Sequence, residues 1–125
     1  NVYVFWRSLW TWVWAYYWSI FKTDKILLVS PYNQLYKIAS DRYPIFPVKY
    51  LFTQNYNIES YLKNYKNELL IIHWLEDQTI PLKYWELLYN NLNTSKKDFL
   101  KIDEANHDNI FDFDLVENKI IEFLK

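Results

Sequence analysis

Glycine, cysteine and methionine are all absent from this sequence of 125 residues. Without cysteine the chain can form neither a disulfide framework nor a thiolate metal site, and its two histidines are too few to predict a zinc site. The lack of methionine indicates that the sequence is part of a longer protein. Average usage of about 7% would supply roughly nine glycines, so tight turns must be made by residues that disfavour a positive φ.

The chain also lacks a strong charge of either sign. Its 14 basic and 15 acidic side chains give a formal net charge of −1, and no stretch is dominated by one sign. A nucleic-acid-binding protein usually shows a basic stripe, so no nucleic-acid partner is expected. No signal peptide is recognisable, which makes a cytoplasmic location the expectation, and the length predicts a single domain.

Short apolar runs predict four β-strands, and longer apolar or amphipathic runs between them predict helices. The predicted strands span residues 1–5, 25–30, 68–73 and 97–102. The predicted helices span residues 9–21, 82–92 and 112–124, with shorter ones at 32–41 and 58–66. This order predicts an α/β fold in which right-handed crossovers build a parallel sheet with flanking helices. The chain is then one domain over residues 1–125, with residues 31–67 as a cap-like insert.

Three chemically reactive side chains follow predicted strands. Ser8 follows the first strand, Asp77 follows the third and His107 follows the fourth. The carboxyl ends of parallel strands meet at one edge of the sheet, where ligands bind in open α/β folds. A serine, an acid and a histidine at that edge suit nucleophilic catalysis, because the histidine removes the serine proton and the aspartate orients the imidazole. Glu76 is an alternative acid. His73, at the end of the third strand, is interpreted as a structural residue.

The residues around these positions resemble the α/β-hydrolase family of serine hydrolases. The stretch Phe5-Trp-Arg-Ser-Leu-Trp-Thr-Trp12 resembles the nucleophile elbow Gly-x-Ser-x-Gly, with tryptophan at both glycine positions. Leu70-Ile-Ile-His-Trp-Leu-Glu-Asp-Gln-Thr-Ile-Pro81 resembles the family's strand followed by His-Gly-x-x-Asp-x-x-x-Pro, and Ile102-Asp-Glu-Ala-Asn-His-Asp-Asn109 resembles the segment that delivers the catalytic histidine. Leu28-Val-Ser-Pro-Tyr with Tyr43-Pro-Ile-Phe-Pro-Val48 is similar to a branch that includes depalmitoylase-like serine hydrolases.

The resemblance implies cleavage of an ester, thioester or amide through an acyl-serine intermediate. Ser8 is then the nucleophile, Asp77 the acid, His107 the base and the backbone N–H of Leu9 one oxyanion donor. A small-molecule or acyl substrate is implied, with neither a metal nor an organic cofactor. The family's strands before the elbow, which supply the second oxyanion donor, are missing. We therefore expect residues 1–125 to form the C-terminal half of the fold, inactive alone and prone to aggregate through the open edge of the first strand.

Seven tryptophans stand where the family has glycine or another small residue, five of them between residues 6 and 18. Overpacking a core costs about 1–3 kcal/mol per site, against a total stability of roughly 5–15 kcal/mol. One hypothesis is that these positions are glycines, encoded by UGA in an organism that reads this codon as glycine. The alternative is a genuinely tryptophan-rich chain, either an inactive hydrolase-like scaffold or a membrane-surface binder that uses its aromatic cluster.

Overall fold

The four-stranded sheet at the centre of the computed structural model is entirely parallel. The structure describes residues 3–21, 23–52, 56–103, 105 and 109–125, with the backbone alone at residues 3 and 9. The strands are β1 (Tyr3–Arg7), β2 (Lys25–Val29), β3 (Glu68–Trp74) and β4 (Lys97–Ile102). The helices are α1 (Thr11–Phe21), α2 (Leu35–Arg42), α3 (Val48–Leu51), α4 (Ile58–Leu62), α5 (Leu82–Asn91) and α6 (Asp114–Leu124). Two 3-10 turns, Ser8–Trp10 and Ile110–Asp112, precede α1 and α6.

The strands lie side by side in their sequence order, so β2 pairs with β1 and β3, and β4 pairs with β3. This arrangement confirms the prediction of a parallel α/β sheet with flanking helices. The register aligns Arg7 with Val29, and Val29 with Ile72. The carboxyl ends of neighbouring strands therefore lie next to one another, as a site built from several strand ends requires.

Alternating side chains of β2 and β3 fill a hydrophobic core on each face of the sheet. The strand residues that pack with α1, α4 and α5 are Ile26, Leu28, Leu69 and Ile71. The strand residues that pack with α6 and the 3-10 turn before it are Leu27, Val29, Leu70 and Ile72. Because helices cover both faces, both strands are continuous apolar runs rather than alternating ones.

Three elements differ from the expectations. β1 ends two residues later than predicted, at Arg7, and it is not a buried strand, because Val4 is buried while Phe5 is 45% exposed. The helix α1 is not buried all round, since its buried residues are Thr11, Ala15 and Trp18 and much of its remaining surface is apolar and accessible. The helix α3 was not predicted, because a single turn after Pro47 is too short to leave a helical period in the sequence.

The tryptophans divide into surface and core positions. Trp6 and Trp10 are 39% and 62% exposed, so the expectation that they overpack the strand–helix contact at the elbow was wrong. Trp18 and Trp85 are buried, and neither indole N–H has an acceptor among the described residues. A buried donor without a partner costs about 1–3 kcal/mol. None of the seven tryptophans, all of which the structure describes, has a positive φ, so any preference for glycine there comes from packing and not from the backbone.

Candidate active site

The turn between β1 and α1, where the sequence predicts a nucleophile elbow, contains a residue with a left-handed backbone. Ser8 immediately follows β1 and has a φ of 59°, in the left-handed region that non-glycine residues seldom occupy. Its carbonyl oxygen accepts both the backbone N–H and the side-chain hydroxyl of Thr11, the latter over 2.8 Å. Strain of this kind, about 1–3 kcal/mol, concentrates at functional sites. Leu9, the expected oxyanion donor, lies in the 3-10 turn that starts at Ser8.

A second left-handed serine ends the neighbouring strand. Ser30 immediately follows β2, has a φ of 50° and is fully buried. Since Arg7 is aligned with Val29, Ser8 and Ser30 follow adjacent strand ends, and adjacent strands lie about 4.8 Å apart. The Ser30 N–H donates to the carbonyl of Ile72 over 2.8 Å, which ties this turn to β3.

The acid proposed from the sequence lies inside the protein at the same edge. Asp77 follows β3 and is 6% exposed, whereas its rival Glu76 is exposed. One carboxylate oxygen, Oδ1, accepts the backbone N–H groups of Thr79 and Ile80, each over 2.8 Å. The other, Oδ2, accepts the hydroxyl proton of Ser30. The buried carboxylate is therefore held on both oxygens, as a buried charge requires.

His73 adds a buried imidazole to this cluster. Its Nδ1 lies 2.8 Å from the Trp74 carbonyl oxygen, which agrees with the interpretation of a structural histidine that bonds to the backbone. Its Nε2 lies 3.4 Å from Ser30 Oγ and 3.9 Å from Asp77 Oδ2. Sequence analysis missed these two contacts and missed Ser30 itself. The sequence feature that could have indicated Ser30 is its position at the end of an apolar strand, directly before Pro31.

The base proposed from the sequence, His107, lies outside the described residues. The segment that follows it reaches the elbow strand, because the Phe111 ring packs edge-on against Phe5 at a centroid distance of 5.8 Å. The guanidinium of Arg7 also lies 5.9 Å from the Phe111 ring centre. Phe5, Trp6, Arg7, Trp10 and Phe111 line an open cavity of about 340 Å³ beside the elbow. The chain after β4 thus returns to the carboxyl edge of β1.

The described part of residues 31–67, which the sequence predicts as a cap-like insert, contacts the loop that carries Asp77. Arg42, at the end of α2, donates to the Gln78 carbonyl over 3.2 Å, one residue beyond Asp77. The segment after it displays apolar side chains, with Ile45 92% exposed and Tyr50 85% exposed. Asp41 bonds to Lys83 and Tyr84 on α5, and the Lys83 hydrogen bond holds the Asp41 pKa below its ordinary value. The insert therefore stands beside the carboxyl edge of the sheet with an accessible apolar surface.

In the part of the chain that the structure describes, no three histidine, cysteine, aspartate or glutamate side chains are grouped closely enough to hold a metal ion. The helices of the same residues include none with both the length and the apolar character needed to cross a bilayer.

The chain resembles solved structures that include an α/β hydrolase, esterases and a lipase. The chain matches Rv0554 of Mycobacterium tuberculosis with a TM-score of 0.71 at 12% identity, over 98% of this chain and 65% of that one. It matches the monoacylglycerol lipase of Paleococcus ferrophilus with a TM-score of 0.69 at 16% identity, over 99% and 68% of the two chains. An α/β hydrolase from the sediment metagenome of the Mar Chica lagoon gives a TM-score of 0.69 at 17% identity, over 98% and 59%.

These matches identify the fold as the C-terminal part of an α/β hydrolase, as the sequence predicted. The chain spans between 59% and 68% of the length of these three structures. No protein-family model and no curated protein matches the sequence.

Proposed function

We propose that the protein is a serine hydrolase that cleaves an ester, thioester or amide through an acyl-serine intermediate. The observation that carries this proposal is the left-handed Ser8 between β1 and α1, at the sheet edge where Asp77 is buried and held on both carboxylate oxygens. A left-handed serine at a strand-to-helix turn is the arrangement that exposes a nucleophile in this fold. The neighbours of the same fold include esterases and a lipase.

In the proposed mechanism His107 removes the hydroxyl proton of Ser8 while Ser8 Oγ attacks the substrate carbonyl carbon. The tetrahedral intermediate places a negative charge on the former carbonyl oxygen, and the Leu9 N–H donates to it. His107 then gives its proton to the leaving group as the acyl-serine forms. A water molecule, deprotonated by His107, then attacks the acyl carbon. The bond from that carbon to Ser8 Oγ breaks, the carboxylic acid product leaves, and His107 returns the proton to Ser8 Oγ. Asp77 orients the imidazole and stabilises its positive charge.

The exposed apolar side of the insert favours substrates with an apolar acyl group. Ile45, Phe46, Tyr50 and Leu51 are all more than 60% exposed, and the Arg42–Gln78 contact holds their segment beside the acid loop. A hydrocarbon chain that binds there would remove apolar surface from water on both partners. The resemblance to the depalmitoylase-like branch supports the same substrate class.

Residues 1–125 alone are proposed to be inactive. β1 pairs with β2 on one side, and no other strand of the described residues covers its second edge. Phe5, Trp6 and Trp10 are exposed beside that edge. An unpaired edge with apolar side chains is a template for association between chains, so the isolated chain is expected to self-associate.

A fluorophosphonate probe, which reacts with activated serines, tests the proposed function on the complete protein. Labelling should occur, should vanish in Ser8→Ala and should persist in Ser19→Ala, whose hydroxyl lies on the exposed side of α1. Loss of labelling in His107→Ala and in Asp77→Asn would assign the other two roles. A complete, folded protein that the probe does not label would instead support the inactive scaffold. Probe-reactive monomers of residues 1–125 would refute the proposal that the isolated chain is inactive.

A further inference from the structure

A buried hydroxyl connects the end of β2 to the acid that follows β3. Ser30 is fully buried, and the Asp77 side chain has no exposed surface. Their hydrogen bond joins Ser30 Oγ to Asp77 Oδ2. Because both groups are excluded from solvent, water cannot take over this bond if the hydroxyl is removed.

The direction of the bond follows from the two atoms that the hydroxyl faces. Asp77 Oδ2 is the closer one, and His73 Nε2 is farther away at 3.4 Å. A hydroxyl has one proton to donate, and the charged, closer oxygen is the stronger acceptor. The His73 ring is fixed separately by the Trp74 carbonyl, which can only accept, so Nδ1 carries a proton. The buried imidazole thus lies beside the Ser30 hydroxyl, with Nε2 at 3.4 Å from Oγ.

The Ser30 hydroxyl is one of three donors that the described residues provide to the Asp77 carboxylate. A carboxylate offers about four lone-pair positions. The backbone N–H groups of Thr79 and Ile80 occupy two on Oδ1, and the Ser30 hydroxyl occupies one on Oδ2. Among the donors that the described residues provide, these three leave one position on Oδ2 for a further donor. A carboxylate held only through Oδ1 would keep torsional freedom at Oδ2.

We propose that Ser30 is a positioning residue: its hydroxyl, beside His73, fixes the orientation of the Asp77 carboxylate for the role that Asp77 is proposed to have toward His107. The proposal rests on the proposed serine-hydrolase function. Ser30 does not touch substrate in this role and acts only through Asp77. The left-handed backbone at Ser30 places the hydroxyl there, and the N–H bond to Ile72 ties the turn to β3.

The test compares Ser30→Gly and Ser30→Ala with the parent in the complete protein. Both variants lose the hydroxyl, but glycine also accepts a positive φ without strain, so Ser30→Gly should lose less stability than Ser30→Ala. In the hydrolysis of p-nitrophenyl acetate, kcat should fall about tenfold to a hundredfold in both variants, because each loses one hydrogen bond to a charged group. KM should change by less than about twofold. The fluorophosphonate labelling rate should fall by a similar factor. Ser60→Ala, which removes an exposed hydroxyl bonded to the Asn57 carbonyl, is the matched control and should behave as the parent.

Two results would overturn the positioning role while leaving the proposed function intact. One is parent-like kcat and labelling in Ser30→Gly. The other is a loss of activity that a lower unfolding temperature fully explains and that changes both kcat and KM. A parent protein that neither labels nor hydrolyses the ester would overturn the proposed function, and with it the role of Ser30.

Discussion

The hydroxyl of Thr11 donates to the carbonyl oxygen of Ser8 over 2.8 Å, and Thr11 is fully buried. The same carbonyl accepts the backbone N–H of Thr11. The first residue of α1 therefore holds the strained turn through two bonds to one oxygen. This relationship explains how the elbow persists although the residue at its centre is not glycine.

Thr11→Val should weaken the elbow with little change in shape. The Ser8 carbonyl keeps one of its two donors, so the expected loss of stability is about 1 kcal/mol. Urea unfolding of the complete protein measures this value, and the probe-labelling rate should fall with it. Thr11→Ser, which keeps the hydroxyl, is the control. Equal labelling rates for valine and serine would show that this bond does not support the elbow.

Replacing Ser8 distinguishes backbone strain from chemistry. Ser8→Gly and Ser8→Ala both remove the proposed nucleophile, but only glycine adopts a φ of 59° without cost. Left-handed backbone costs a non-glycine residue about 1–2 kcal/mol, and glycine's greater freedom in the unfolded chain offsets about 0.4–1 kcal/mol of that. We therefore expect Ser8→Gly to be more stable than Ser8→Ala by up to about 1.6 kcal/mol in urea unfolding. A clearly more stable alanine variant would contradict the left-handed geometry.

Alkaline pH should destabilise the protein through buried tyrosines. Burial raises the pKa of Tyr65, whose hydroxyl lies 2.6 Å from the Glu68 carbonyl oxygen, and burial also raises the pKa of Tyr32. The unfolded chain then loses protons that the folded chain keeps, so this contribution is complete below a pH of about 10 and is lost as the pH rises further. The expected slope is about −1.4 kcal/mol per pH unit for each such tyrosine.

The free energy of unfolding, measured in urea from about pH 8 to pH 11, checks this dependence. Tyr65→Phe removes the phenol and should reduce the slope, whereas Tyr50→Phe, at a side chain that is 85% exposed, is the control. A slope that Tyr65→Phe leaves unchanged would show that Tyr65 ionises in the folded protein.

The mass of the peptide that spans residues 5–20, taken from the organism's own protein, should correspond to glycine at positions 6, 10, 12, 14 and 18. The partnerless indole N–H of Trp18 supports a smaller residue there, and Trp85 has the same defect outside this peptide. Glycine on both sides of Ser8 would restore the family's elbow and strengthen the catalytic proposal. A mass that corresponds to tryptophan would leave the fold unchanged and would withdraw the catalytic proposal.

The predictions of the fold and the predictions of the site have different outcomes. The parallel sheet and the strands β2, β3 and β4 were predicted to within a residue or so, because continuous apolar runs bounded by polar residues have few other solutions. The burial of β1 was predicted wrongly. Its residues resemble a core strand, and accessibility depends on which neighbours cover it. The roles of Ser8, Asp77, His107 and Leu9 remain predictions.

The sequence alone determined the order of strands and helices, since local apolar periodicity and strand ends are encoded in neighbouring residues. It also determined that a serine and an acid follow strands of one parallel sheet and so share an edge. Only the tertiary structure decided that Ser30 and His73 surround Asp77. Ser30 lies 43 positions before His73 and 47 before Asp77, and the lateral pairing of β2 with β3 brings it to them. His73 and Asp77 are only four positions apart. Hydrogen bonds between side chains of different strands depend on register and backbone angles, which no local pattern records.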